Sequence, residues 1–401
     1  MKGEILGPLQ YRDFTLFIIG HFISFTGSWI QTTALHWLIY NLRHSTVDLG
    51  FFVFVTSFPG IFMTLLAGIF IDRFNRKNLM QLIMILSLIP PLFMFILIHF
   101  NKQTFGLLII LALFSSIFSS IDMPLRQVFI SELVPIKFLT QALSLQAFSF
   151  NSARMLGPIM AGLIISHISI DLCFLINFLS FLPLLIFTYF IRYKSSLVKK
   201  TKELSIINEF LNFWHFLKIK RKISILLILI STFTFFATSV IILLPMLTLK
   251  ILGGSASDFA LLSSGVGIGA LAGALTSFFR RELFSDLSQL VMAHVLWFLG
   301  VMGLVFSNSF PIYYIGMLLI GMSFTNFYPV VNGLLQRETP SELRGKVMSL
   351  FSIAFLGMAP LGQTTISLLA EVIVVKDLLL IIGLFLIIMN LLILRSLVQR
   401  S

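Results

Sequence analysis

The chain has 401 residues, of which 58% are hydrophobic and only 11% charged, with a mean hydropathy of +1.01. Soluble domains carry about a quarter charged residues, so this balance excludes an ordinary soluble protein and places the chain in the membrane class. The single cysteine, Cys173, rules out an intrachain disulfide and argues against a metal-thiolate site.

The N-terminal stretch MKGEILGPLQYRD has no short apolar core with a small-residue cleavage site. The first apolar run is too long for a signal peptide and is expected to remain in the mature protein. A helix needs roughly 20 apolar residues to cross the hydrocarbon core. Twelve such spans are predicted, at 14–40, 49–71, 79–100, 105–130, 139–166, 171–192, 223–250, 257–280, 287–308, 311–336, 344–370 and 376–396. Connections are short except for 193–222, a basic linker. It carries Ile207, Phe210, Leu211, Trp214 and Leu217 at helical spacing amid lysines, which predicts an amphipathic helix lying on the inner leaflet. The expected organisation is a six-helix bundle over 1–192, the linker over 193–222, and a second six-helix bundle over 223–401.

The bases set the orientation. With the N-terminus cytoplasmic, one side holds 23 Lys and Arg: Lys2, Arg12, Arg73, Arg76, Lys77, Arg126, Lys137, nine from Arg192 to Lys222, Arg280, Arg281, Arg337, Arg344, Lys346, Arg395 and Arg400. The other side holds four, Arg43, Lys102, Lys250 and Lys376, while Arg154 lies within a span. The split predicts both termini inside. It also explains the +12 net charge as basic loops at an anionic leaflet, with no nucleic-acid partner expected.

The halves align at a constant offset of 205 residues. Gly68 maps to Gly273, Arg76 to Arg281, Pro124 to Pro329, Pro135 to Pro340, Ser144-Leu145 to Ser349-Leu350, and Gly157 to Gly362. One offset across five helices predicts two bundles in the same orientation, related by an axis along the membrane normal.

Between spans two and three the sequence reads Gly68-Ile-Phe-Ile-Asp72-Arg73-Phe-Asn-Arg76-Lys77. It resembles the G-x-x-x-D-R-x-x-R-R/K loop of the major facilitator superfamily. The resemblance implies that Gly68 allows close helix approach, and that Asp72, Arg73 and Arg76, with Lys77, bond across the cytoplasmic side and hold the outward-open state. The second copy, Gly273 to Arg281, lacks the aspartate and the first arginine. The alternative is that these charges only anchor the loop in water, but an anchor needs neither an acid nor a glycine four residues earlier.

The segments FISFTGSWIQTTALHWLIYNLRHSTVDLGFFVFVTSFPG, DMPLRQVFISELVP, LSLQAFSFNSARMLGPIMAGLI and RETPSELRGKVMSLFSIAFLGMAPLG extend the resemblance over nearly the whole chain. They are similar to the branch that contains the bacterial enterobactin exporter and the macrolide-efflux proteins. The implied protein is an all-α, twelve-helix, monomeric efflux transporter of the inner membrane, driven by the proton gradient and needing no cofactor. Its cargo would be a small organic molecule, either a siderophore or related metabolite or a macrolide-type drug. Uptake is a further transporter reading.

Several polar residues stand out within the spans. Asp122 and Arg126 share one face of span four. They are read as a gate or conformational lock, a pair that only fixes the end of the span, or a proton carrier. Glu132 is expected at the aqueous edge. Arg154 lies about 22 Å along span five at 1.5 Å per residue, too deep to snorkel easily, so it should face a cavity or a buried acceptor. A planar guanidinium there suits a carboxylate-bearing cargo, and a lock to backbone carbonyls or to Asn151 is the alternative. Gly157, Pro158 and Gly162 resemble part of the exporters' antiporter motif and imply a hinge or a packing seam.

His21, Ser24, Ser28 and Gln31 form one polar stripe on span one, read as cavity lining, and Asn151 of span five is a candidate for the same lining. In the second half Asn326, Tyr328, Asn332 and Gln363 are candidate cargo contacts, with interhelical hydrogen bonding the alternative. No H-E-x-x-H pair and no phosphate-cradling G-x-x-x-x-G-K-[ST] loop is present, which argues against a membrane enzyme and a nucleotide-driven pump. A channel or receptor remains the alternative from another class.

Overall fold

The computed structural model describes residues 7–191, 220–280, 284–340 and 343–398. Among these, twelve long helices follow one another. They are α1 (Arg12–Arg43), α2 (Thr46–Arg73), α3 (Arg76–His99), α4 (Phe105–Leu133), α5 (Leu139–His167), α6 (Asp171–Phe190), α7 (Arg221–Ile251), α8 (Ala256–Arg280), α9 (Asp286–Phe306), α10 (Phe310–Glu338), α11 (Arg344–Val372) and α12 (Val375–Val398). Eleven of them are long and apolar enough to cross a membrane, and the remaining one, α2, runs 28 residues. The predicted linker helix, 207–217, and Arg281 lie outside the described residues.

Local chemistry starts and stops these helices. Asn75 caps α3 by accepting from the backbone N–H of Lys77 and Asn78, and Thr104 and Ser285 cap α4 and α9 in the same way. His44 ends α1 with a left-handed φ of 51° and hands its N–H to the Tyr40 carbonyl. Prolines stand inside α2, α3, α4, α5, α6, α10 and α11. In a membrane, packed neighbours re-satisfy the groups they free. The interior of α7 is broken. Its first stretch ends at Ala237, short turns follow around Pro245, and Leu247–Ile251 closes as a π-turn in which Leu252 N–H reaches the Leu247 carbonyl.

The two halves keep the predicted register. Phe105–Leu133 and Phe310–Glu338 are 205 residues apart at both ends, and so are Leu139–His167 and Arg344–Val372.

By contact the chain falls into two units, one within Met1–His44, Val55–Val198 and Gly253–Gly267, the other within Ser45–Phe54, Lys199–Leu252 and Ile268–Ser401. In the first, Phe14, Phe17, Met80, Met84, Leu125, Phe129, Ile130 and Leu184 form a continuous apolar core. Trp37 of α1 stacks on Phe259 of α8, 5.4 Å between centroids. In the second, the first turns of α2 pack on α11, where Thr364 Oγ1 donates to the Gly50 carbonyl at 3.0 Å and Thr46 Oγ1 to the Ser367 carbonyl at 3.4 Å.

On α3 the exposed large residues are Leu82, Ile85, Ile89, Phe93 and Ile96, at steps of three and four. The opposite face, with Leu79, Met80, Ile83 and Met84, is buried. A helix apolar on both faces has its outer face in lipid.

Candidate functional site

The first unit buries a charged network where α1 meets α4. Asp122 and Arg126 stand one turn apart on α4, and His21 and Ser24 one turn apart on α1, so two matched pairs face each other. Arg126 Nη1 lies 3.0 Å from His21 Nδ1, Nη2 donates to Ser24 Oγ at 3.3 Å, and Nε lies 2.7 Å from Asp122 Oδ2. The guanidinium carbon sits 5.0 Å from the centre of the Phe25 ring. Arg126 is 1% exposed, His21 0% and Asp122 9%.

The protonation pattern follows from the donors. A guanidinium can only donate, so Nδ1 of His21 accepts, and the ring is neutral with its proton on Nε2. That Nε2–H has no hydrogen-bond partner, and neither has Asp122 Oδ1. The Asp122 contact to Nε is a charge pairing off the N–H axis, because Nε itself makes no aligned hydrogen bond. The carboxylate is therefore held loosely for a group so deeply placed.

A pocket of about 540 Å³ opens beside the network. His21 and Phe25 of α1, Met123, Gln127, Val128 and Ser131 of α4, and Leu139, Leu143, Gln146, Ala147, Phe150 and Asn151 of α5 line it. Phe25 is the shared wall. Its edge meets the His21 ring at 4.3 Å and the Phe150 ring at 5.2 Å.

The second repeat tests whether the fold needs this network. At the 205-residue offset, His21, Ser24, Asp122 and Arg126 become Leu226, Leu229, Phe327 and Val331. All four are fully buried. The same helix pair thus packs with apolar side chains, which costs nothing in charge burial. A charged side chain within a span costs about 2.5–3.5 kcal/mol on insertion scales, and a buried ion pair is no better for stability than well-packed apolar groups. The second unit thus packs the matching positions without a charge.

Comparison with known proteins gives the family. The model of the transmembrane secretion effector family matches residues 4–401. The chain belongs to this family. It is a major facilitator transporter, not an enzyme. It is 25% identical over 359 residues to the staphyloferrin A transporter of Staphylococcus aureus, covering 89% of each chain. Among solved structures, the nucleoside transporter NupG superposes with a TM-score of 0.75 at 13% identity, covering 97% of this chain and 100% of that one. A bacterial homologue of the iron transporter ferroportin, in an inward-facing state, superposes with a TM-score of 0.74 at 16% identity, covering 97% and 99%. These two likenesses establish the fold.

At the basic end of the transporter's first unit, Arg76 at the start of α3 forms an ion pair with Glu132 at the end of α4. Lys77 turns the other way, and its ammonium donates to the carbonyls of Tyr189 and Ile191 at 3.0 and 2.8 Å, capping the end of α6. Arg73 is exposed. Gly68 and Asp72 lie within α2, and the Asp72 side chain is outside the described structure. The second unit has its own pair between the start of α9 and the end of α10, Asp286 Oδ2 to Arg337 Nη2 at 2.5 Å.

The polar stripe of α1 divides. His21 and Ser24 face α4, whereas Ser28 and Gln31 face α6. Asn177 Nδ2 donates to Gln31 Oε1 at 2.7 Å, and Ser28 Oγ lies 3.5 Å from Asn177 Oδ1. Of the stripe, His21 alone lines the pocket. Arg154 is half-buried with its guanidinium carbon 5.7 Å from the Trp29 ring centre. Asn151 lines the pocket and donates to the Ala147 carbonyl at 2.9 Å.

Gly157 lies against α1, where an added Cβ would run into the Trp29 Cβ and the Ile30 backbone. A Cβ on Gly162 would come within 2.6 Å of Ala260 Cβ on α8. Pro158 is buried beside Gly157.

In the second unit Asn326 and Asn332 bond within α10, whereas Tyr328 and Gln363 reach across to α7. Asn326 donates to the Met322 carbonyl at 2.7 Å, Tyr328 lies 3.3 Å from Thr234 Oγ1, Asn332 accepts from Gln336 at 2.6 Å, and Gln363 donates to the Thr238 carbonyl at 3.4 Å. Sequence reasoning missed Asn177, Phe25 and Phe150. A lone asparagine in the apolar run FLINFLSF was the available signal for the first, and the one-turn spacing of Phe25 from His21 for the second.

Proposed function

We propose that the chain is a secondary active exporter of a siderophore or related small organic metabolite, sitting in a bacterial inner membrane with both termini and the basic loops in the cytoplasm. Cargo loads from the cytoplasm, the two bundles alternate access, and proton entry resets the cycle. The observation that carries this reading is the Asp122–Arg126–His21 network, buried in one repeat of a transporter whose other repeat does without it. Within it Asp122 has one oxygen without a hydrogen-bond partner and meets Arg126 off the N–H axis. The cargo class rests on similarity along 89% of the chain to a protein named as a staphyloferrin A transporter.

The test is the amount of metal-chelating metabolite in the medium of iron-starved cells with and without the gene. Loss outside, retention inside and restoration by the wild type are expected. Unchanged secretion in a strain without redundant exporters removes the siderophore reading, and drug-accumulation assays then address macrolide-type efflux.

A further inference from the structure

Deepening the export reading, on which it rests, we propose that the α1–α4–α5 pocket holds a carboxylate of an organic ligand with an apolar body, and that Nε2–H of His21 is the donor that receives it. Three observations converge. Arg126 occupies Nδ1 and thereby forces the ring proton onto Nε2. That proton is unpartnered in a fully buried side chain that lines the pocket, and buried donors are rarely left so. Much of the wall is apolar and aromatic, with Met123, Leu139, Leu143, Phe25 and Phe150 to hold a ligand body by contact, and Gln127, Ser131, Gln146 and Asn151 supply its other polar groups.

The ligand's polar group follows from the donor. The Arg126 charge is already paired with Asp122, so the discrimination comes from the N–H, which bonds an oxygen acceptor and finds none on an ammonium group. Phe25 is half-buried and touches both His21 and Arg126 with its ring, so it turns aside as the carboxylate arrives. The second unit has leucine at the matching position, Leu226, and offers no such donor.

The experiment uses the purified full-length protein in detergent, with benzoate as probe and benzylamine as a control with the same ring. Saturable benzoate binding is read by ligand-observed NMR. Benzoate is expected to bind and benzylamine not to. His21→Leu weakens benzoate by about tenfold or more, the size of a hydrogen bond to a charged group. His21→Gln, which keeps an N–H near Nε2, stays within about threefold. In wild-type protein labelled with ¹⁵N-histidine, benzoate should move the Nε2 resonance of a ring whose Nδ1 carries no proton. This second measurement stands if His21→Leu fails to fold.

No saturable benzoate binding by the wild type, equal binding of benzylamine, undiminished binding by folded His21→Leu, or an unmoved Nε2 resonance overturns the proposal. Binding is measured without transport. A pocket that fails leaves chelator secretion to decide the export reading, and a transporter that secretes no chelator leaves the pocket result standing.

Discussion

Glu132 and Arg337 hold the same place in the two repeats, 205 residues apart, and each closes an ion pair between the same two helices of its bundle with the charges exchanged. Glu132 on α4 meets Arg76 on α3, and Arg337 on α10 meets Asp286 on α9. Asp171 and Lys376 repeat the pattern at the other end. Asp171 lies 2.8 Å from His99 Nδ1, and Lys376 donates to the Ser307 carbonyl and to Asn308. The matched positions tie helices in both bundles with opposite signs of charge.

The Arg76–Glu132 tie is the stronger, because its side chains are only 10% and 16% exposed, against 62% and 39% for Arg337 and Asp286. Glu132→Gln should cost between the about 1 kcal/mol of an exposed pair and the about 3 kcal/mol of a buried one. The exchange Arg76→Glu with Glu132→Arg should recover most of it. Thermal melting of the purified transporter checks both, and an exchange no better than the worse single change would show that the two residues do not act as a pair.

Replacing the network by its own repeat-mates separates folding from transport. His21→Leu, Ser24→Leu, Asp122→Phe and Arg126→Val together should leave the melting temperature unchanged or raised, because Leu226, Leu229, Phe327 and Val331 already pack this way. Transport should be abolished. Arg126→Val alone should destabilise by about 3–5 kcal/mol, since it strands Asp122. A quadruple variant that transports normally would remove the network from the mechanism.

Asp72→Asn should cripple transport while protein level and membrane insertion stay normal, as the loop resemblance implies. Normal transport rates in this variant would end the gating assignment.

Arg154→Ala should impair transport more than folding, with Trp29 losing its cationic neighbour. The effect of a cation–π contact on stability is about 0.5–2 kcal/mol. If expression alone falls and the surviving protein transports normally, Arg154 is a packing element only.

Gly157→Ala should lower the melting temperature, because the new methyl meets Trp29 Cβ and backbone atoms of α1 rather than a movable side-chain tip. Overpacking of this kind costs about 1–3 kcal/mol. An unchanged melting curve would mean that α1 and α5 can separate freely at this point.

The helices were legible in the sequence because length and hydropathy decide them. Spans predicted at 105–130, 139–166 and 344–370 begin where α4, α5 and α11 begin. The breaks in α7 were not read, although Pro245, which lacks the N–H that would reach Ile241, marks the one beside Leu243. The site was half legible. Spacing alone put Asp122 with Arg126 and strung His21, Ser24, Ser28 and Gln31 on one face. Spacing does not say which neighbour each part of a face meets, and the 32-residue α1 turns its first polar residues to α4 and the later ones to Asn177 of α6. Such a division depends on crossing angles between helices, and no single strand of sequence carries those.

The identical bounds of α4 and α10, and of α5 and α11, say something about which lesions this gene can bear. Where one copy has an acid the other has a base, and where one has a charged network the other has leucine, phenylalanine and valine, yet the two copies have the same length along these helices. One deleted codon would rotate everything beyond it by about 100°, swinging Arg126 away from α1 and turning an oily flank inward. In these segments the two copies differ in spelling and agree in length.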